Sequence, residues 1–241
     1  MNQTIRNLLL LFPPGRPYYK KVLSYGPFAY WPLWEPSGAV AQCLVNPLQN
    51  GTHVGVTLGQ PGIGDGRTCP YYDGVNDYTY CHTAALAAAF NGAEGTIMAW
   101  MRADAGTWTD AARRACFFFR ADGNNYVEAR QDIGNNTMRF NYCAGGVLDW
   151  VSVNPYSELG FFQVAMTWSA SADELRCFLG GTQRGATQVG LGIWAGALAA
   201  NYQTFGAAST TPTDPWKGYG AHGVVWTKAL PPAAIANLAV V

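Results

Sequence analysis

The chain has 241 residues, of which 49% are hydrophobic, 14% aromatic and 12% charged, with 15 acidic and 15 basic side chains that cancel. Charged residues are at about half the roughly 25% usual for globular domains. The surface therefore lacks the positive field that a phosphate backbone or anionic lipid requires, which excludes nucleic-acid and membrane-surface roles. The apolar content excludes disorder, and 28 Gly with 14 Pro fit many short strands and tight turns in one all-β unit, a class that often reaches about 200–250 residues.

Residues 1–26 show no two-residue alternation and carry Pro13, Pro14 and Pro17 beside Arg16, Lys20 and Lys21. They are expected to form an extended N-terminal arm ahead of a single domain over 27–241. Leu8 to Phe12 follow Arg6 as a short leader would, but the apolar run is brief and Pro13-Pro14-Gly15-Arg16 replaces a small-residue cleavage site. Neither a signal peptide nor a transmembrane segment is expected.

Three aromatic, turn-rich landmarks follow: YWPLWEPSG from Tyr30, LGQPG from Leu58 and YYDGVNDY from Tyr71. If Asp73-Gly74-Val75-Asn76 turns a hairpin, Cys69 and Cys81 fall at equal distances from its centre and would face each other as a disulfide. The six cysteines show no CxxC spacing and no nearby His cluster, so zinc is not expected. The other reading of scattered cysteines is small buried hydrophobes.

Ala84 to Phe90 is Ala-rich and suits a helical turn. Thr96 to Arg102 is apolar on both alternating faces, as expected for a strand between two layers. Cys116–Arg120 and Tyr126–Gln131 flank a Gly/Asn loop and read as a hairpin. In Thr137 to Cys143, Met138, Phe140 and Tyr142 point to a core while Arg139 and Asn141 point to water. Phe162, Val164, Met166 and Trp168 repeat that period, and Leu175, Cys177 and Leu179 return after a turn. Gly223 to Thr227 reads as a closing strand, and Pro231-Pro232 opens a short helix. Strands at this spacing imply two packed antiparallel sheets.

These landmarks, with FFQVAMTWSASADELRCFLGG at 161–181, resemble the laminin-G-like, concanavalin A-like jelly-roll family over nearly all of 27–241. The resemblance implies an all-β, two-sheet antiparallel jelly-roll sandwich with a short C-terminal helix. Phe161-Phe162-Gln163 stands where the family often has Trp-His-His, so no role of those histidines carries over. The scaffold hosts lectins, adhesion modules, virion proteins and glycanases alike.

The opening up to AYWPLWEPSG is similar to laminin-G-like proteins encoded in phage genomes. The expected function is therefore a non-enzymatic structural or interaction protein of a virion surface (capsid decoration, tail or fibre) or of another extracellular assembly. Its partners would be its own copies or other protein subunits. The alternative is a carbohydrate-binding adhesion module that contacts host glycans.

Chemistry-bearing constellations are few. Jelly-roll glucanases carry a Glu-x-Asp-x-x-Glu strand whose carboxylates act as acid and base, and no segment matches it. Glu128 and Asp132 share a strand face and read as solvated strand-edge charges. His53, His82 and His222 lie in unrelated segments and read as surface or satisfied core residues. No cofactor is expected except calcium, which the resemblance implies at a sandwich rim and which needs six to eight oxygens. Asp73, Asn76 and Asp77 are the candidate ligands, and Asp122, Asn124 and Asn125 make a second oxygen-rich loop. For sugar stacking, Trp108, Trp150, Trp194 and Trp216 lie near loops or strand ends. Trp31, Trp100, Trp168 and Trp226 sit in apolar strand patterns and read as core.

Overall fold

A computed structural model describes residues 17–133 and 136–241. Helix α1 (Tyr18–Ser24) precedes strands β1 (Ala29–Trp31), β2 (Val40–Ala41), β3 (Gly51–Val54), β4 (Thr57–Pro61), β5 (Thr68–Asp73) and β6 (Tyr78–Tyr80). Helix α2 (Ala84–Ala89) leads to β7 (Glu94–Ala103), β8 (Arg114–Asp122), β9 (Asn125–Gln131), β10 (Met138–Ala144), β11 (Val147–Val153), β12 (Phe162–Ser169), β13 (Glu174–Leu179) and β14 (Thr182–Gln188). Strands β15 (Thr204–Phe205) and β16 (Lys217–Trp226) and helix α3 (Pro232–Leu238) complete the order. Both predicted hairpins, the Ala-rich turn and the C-terminal helix are present. The Thr83 hydroxyl caps α2 by accepting from the Leu86 amide at 3.0 Å.

The first sheet runs β14-β13-β12-β7-β16-β5-β4, with β1 pairing the far half of β16, and the second runs β11-β10-β9-β8-β15-β6-β3-β2. Between them lies the main core, where Trp31, Phe117, Phe119, Phe140, Tyr142, Trp168 and Trp216 are fully buried. Strand β7 shows why its pattern is apolar on both faces. Ile97, Ala99 and Met101 enter the core between the sheets, while Met98 and Trp100 face a second apolar layer outside the first sheet.

That outer layer is roofed by α1 and α3, which supply Tyr18, Val22, Ile235 and Leu238. Seven-residue helices are too short to be stable alone, so packing on the sheet holds them. The Tyr18 hydroxyl donates to the Leu238 carbonyl and accepts from Trp100 Nε1, both at 2.7 Å. It thereby joins both helices to the strand beneath.

Strand β16 bulges between Ala221 and Val224, and His222 at its crest has φ +52°. The His222 amide donates to the Pro32 carbonyl at 3.0 Å. Its Nδ1 lies 2.7 Å from the Tyr30 hydroxyl and its Nε2 3.2 Å from Asp65 Oδ2. The bulge aims the imidazole into the outer layer, where it ties the 62–67 loop and β1 to the sheet.

Two expectations are revised. Residues 1–16 of the expected arm lie outside the described residues, and its described part contains helix α1 rather than extended chain. The Cys69–Cys81 disulfide is corrected. The turn after Asp73 carries the chain from one sheet into the other instead of folding it back, so β5 and β6 are not partners. Cys69 faces the outer layer, Cys81 faces the core between the sheets, and both thiols are free. Burial pushes the Cys69 thiol up to about 12.

Candidate functional site

The outward-facing positions of the second sheet fall into register across five strands. Thr204 lies opposite Phe118, Phe118 opposite Glu128, Glu128 opposite Asn141 and Asn141 opposite Trp150. The flanking rows hold Arg120 opposite Tyr126 and Arg130 opposite Arg139. Pairing at a strand spacing of about 4.8 Å thus assembles one polar and aromatic surface from residues far apart in sequence. At one end it deepens into a cleft of about 300 Å³ between Phe118, Tyr126, Tyr202, Arg120, Glu128 and Asp214.

Aromatic contacts and ion pairs hold this surface in place. Phe118 lies 5.8 Å from Tyr126 and 6.0 Å from Tyr202 between ring centroids. The guanidinium carbons of Arg120 and Arg139 stand 4.7 and 4.6 Å above the Tyr202 and Trp150 rings. Glu128 is only 3% exposed. Its Oε2 accepts from Arg130 Nη1 and, at 2.8 Å, from Asn141 Nδ2.

Desolvation raises the Glu128 carboxyl above its ordinary value. Arg130 and Asn141 oppose that rise, and the negative charge of Asp214 adds to it. Asp132 is held low because the guanidinium charges of Arg130, Arg113 and Arg139, with the Ile133 amide, outweigh its burial. Chemically the surface offers the ring faces of Tyr126, Tyr202 and the exposed Trp150 for apolar C–H groups, with the half-buried guanidinium groups of Arg120, Arg130 and Arg139 beside them, over the buried Glu128–Asn141 pair.

Of the four tryptophans proposed for stacking, only Trp150 stands open, 48% exposed on edge strand β11. Trp108 and Trp216 are corrected to core residues. Trp108 packs on Tyr156, Phe162 and Trp216 and donates to the Glu158 carbonyl at 2.8 Å, while Trp216 is fully buried. Trp194 is a half-buried lid over Phe90 and Tyr142. Its ring needs Gly92, where an added Cβ would meet it at 1.9 Å. Trp31, Trp100, Trp168 and Trp226 are core as expected. Replacing Trp150 with alanine is expected to change stability by no more than about 0.5 kcal/mol, read from urea unfolding.

The reading of Glu128 as a solvated edge charge is also corrected, since it is buried on an interior strand. Its place could have been found from the alternation of Tyr126, Glu128 and Arg130 against Val127 and Ala129. Tyr202, from an irregular segment, carries no such signal.

The proposed calcium ligands spend oxygens on their own turns. Asp73 Oδ1 accepts from the Val75 amide at 2.7 Å and Asp77 Oδ2 from the Asp73 amide at 2.9 Å. Asn76 donates its amide to the same Asp73 oxygen at 3.4 Å. In the second loop Asp122 Oδ1 accepts from the Asn124 amide and from Asn125 Nδ2. Among the described residues, no three His, Cys, Asp or Glu side chains converge in a way that could hold a metal ion.

Glu35, His53 and Thr79 line up as a nucleophile relay would, His53 lying 3.2 Å from Glu35 and 3.0 Å from Thr79. Thr79 is fully buried, so no substrate reaches its hydroxyl. Among the described residues no helix is long and apolar enough to cross a membrane.

Several solved structures share this fold. Domain 4 of AbnA, a GH43 extracellular arabinanase from Geobacillus stearothermophilus in complex with arabinotriose, superposes with a TM-score of 0.63 at 12% identity. That match covers 88% of this chain and 98% of that one. The Ruminococcus gnavus IT-sialidase CBM40 bound to alpha2,3 sialyllactose gives 0.52 at 11% identity, over 65% of this chain and 87% of that one. The Trypanosoma rangeli sialidase in complex with the inhibitor DANA gives 0.63 at 10% identity over 89% of this chain, which spans only 33% of that protein. A search of curated protein sequences finds no match. Residues 73–236 match a family model, and with its two stacked antiparallel sheets the chain belongs to the concanavalin A-like lectin/glucanases superfamily.

Proposed function

We propose that this chain is a non-enzymatic carbohydrate-binding module whose glycan lies on the outer face of the second sheet. The observation that carries the reading is the cross-strand row Phe118–Glu128–Asn141–Trp150, which runs beside a cleft walled by Tyr126 and Tyr202. Structural neighbours in complex with arabinotriose and bound to alpha2,3 sialyllactose support it.

Glycan binding would suit a module that works outside the cell or on the surface of an assembly such as a virion. The exposed apolar side chains Val147, Leu148 and Ile193 are where attachment to other subunits would be sought.

A second reading, glycoside hydrolysis, is favoured by one observation: Glu128, with its raised carboxyl, lines the same cleft as Asp214. Two donors already occupy Glu128 Oε2, which suits a fixed ligand-binding carboxylate better than a proton donor. Titration calorimetry with arabinan, xylan, β-glucan and sialylated oligosaccharides, with and without calcium, tests both readings. Saturable binding without release of reducing sugar is the expected result. No binding to any glycan would overturn the module, and sugar release abolished by Glu128→Gln would establish the enzyme.

A further inference from the structure

A second cavity, of about 250 Å³, opens where β12 begins beside the β13–β14 turn. It shares no lining residue with the cleft on the second sheet. Its walls include Phe161 and Phe162, and Arg184, Glu158 and Tyr156 all line it.

Arg184 stands on edge strand β14 opposite Cys177. Its Nε is buried without a hydrogen-bond partner, and the guanidinium joins no ion pair among the described residues. Glu158 lines the same cavity but does not close onto Arg184. Among the described residues its carboxylate accepts only from the Gly160 amide, at 2.7 Å. The Tyr156 hydroxyl makes no hydrogen bond to protein among the described residues, and burial raises its pKa.

Glu158 is exposed where it lines the cavity and Arg184 is half-buried, and the two form no ion pair among the described residues. The backbone that carries Glu158 and Tyr156 is fixed. The Trp108 indole donates to the Glu158 carbonyl at 2.8 Å, and the Tyr156 amide donates to the Asn136 carbonyl at 2.6 Å. The Tyr156 ring packs against Trp108 and Phe162, each at 5.3 Å between centroids.

We propose that this cavity binds a small carboxylate bearing a hydroxyl or ammonium donor next to its carboxyl group. The carboxylate is taken by the planar donor fork of Arg184, which suits bidentate contact. Glu158 accepts from the neighbouring donor, and the Phe161 and Phe162 rings cover the carbon skeleton. A ligand with both features satisfies groups the protein leaves open, whereas a simple carboxylate reaches Arg184 alone.

The test is titration of the whole chain, by NMR shift mapping and calorimetry, with L-lactate, glycolate, L-alanine and acetate. Lactate or glycolate binding identifies the donor as hydroxyl, alanine binding identifies it as ammonium, and either supports the site. The bound compound should be at least about tenfold tighter than acetate. Glu158→Ala, which removes the acceptor, should erase that preference, and Arg184→Lys, which keeps charge and stem but loses the fork, should weaken binding about tenfold. No saturable binding at millimolar concentration, binding equal to that of acetate, or shifts confined to residues away from β12 and β14 would overturn the proposal.

Discussion

His222→Ala is expected to lower the unfolding free energy by about 1–3 kcal/mol, because removing the ring leaves a buried carboxylate without its donor. The side chains of His222 and Asp65 are 2% and 4% exposed. Burial pulls the imidazole below its ordinary 6.5 despite the opposing hydrogen bond and charge of Asp65. Burial would likewise raise Asp65, but the hydrogen bond and charge of His222, with the Arg67 amide, hold its carboxyl below 3.8. The network therefore assigns a neutral ring that donates from Nε2 to an ionised Asp65 and accepts at Nδ1 from the Tyr30 hydroxyl. Alanine leaves that carboxylate buried with only the Arg67 amide as a donor among the described contacts.

Urea midpoints at constant slope measure the loss. The double variant His222→Ala/Asp65→Asn should recover part of it, since the stranded charge is gone. The same groups set a pH dependence. Below about 6.5 the unfolded chain takes up the His222 proton that the folded chain resists, so stability falls as pH drops through that range. Asp65, depressed in the fold, extends the loss as pH falls below 3.8 and toward its lower folded value. A flat stability profile between neutral pH and pH 5 would contradict this assignment.

The second large effect is on ligand affinity. Tyr126→Ala combined with Tyr202→Ala should weaken glycan binding about thirtyfold, each ring contributing roughly 1 kcal/mol through stacking. Tyr202 also supports Arg120, whose guanidinium carbon rests 4.7 Å above its ring, so that single variant should lose more than Tyr126→Ala. Tyr71→Phe, on the outer face of the other sheet, should leave affinity unchanged. If the double variant binds as tightly as the parent while Tyr71→Phe does not, the glycan surface is on the wrong sheet.

Strand existence was legible wherever one period dominated. The alternation at 137–143 and 162–168 predicted which side chains enter the core, and Met138, Phe140, Phe162, Val164, Met166 and Trp168 are all found there. The two-sided apolar run at 96–102 implied a layer outside the sheet, which the expected C-terminal helix forms together with α1, a helix the expected extended arm did not include. The site was less legible. Tryptophans near loops were weighed by sequence position, yet Trp108 and Trp216 are drawn inside because loops at the sandwich ends fold back over the core.

By itself the sequence determined the all-β class, the two-sheet sandwich, the hairpins and the family landmarks, because these depend on local periodicity and turn residues. Which strands become neighbours was decided only by the tertiary structure. The chain crosses between sheets after Asp73, separating Cys69 from Cys81, and cross-strand register brings Phe118, Glu128, Asn141 and Trp150 into one line. Such pairings join residues with no local relation along the chain. They are selected by burial of the whole apolar face of each sheet, a quantity that no short segment carries.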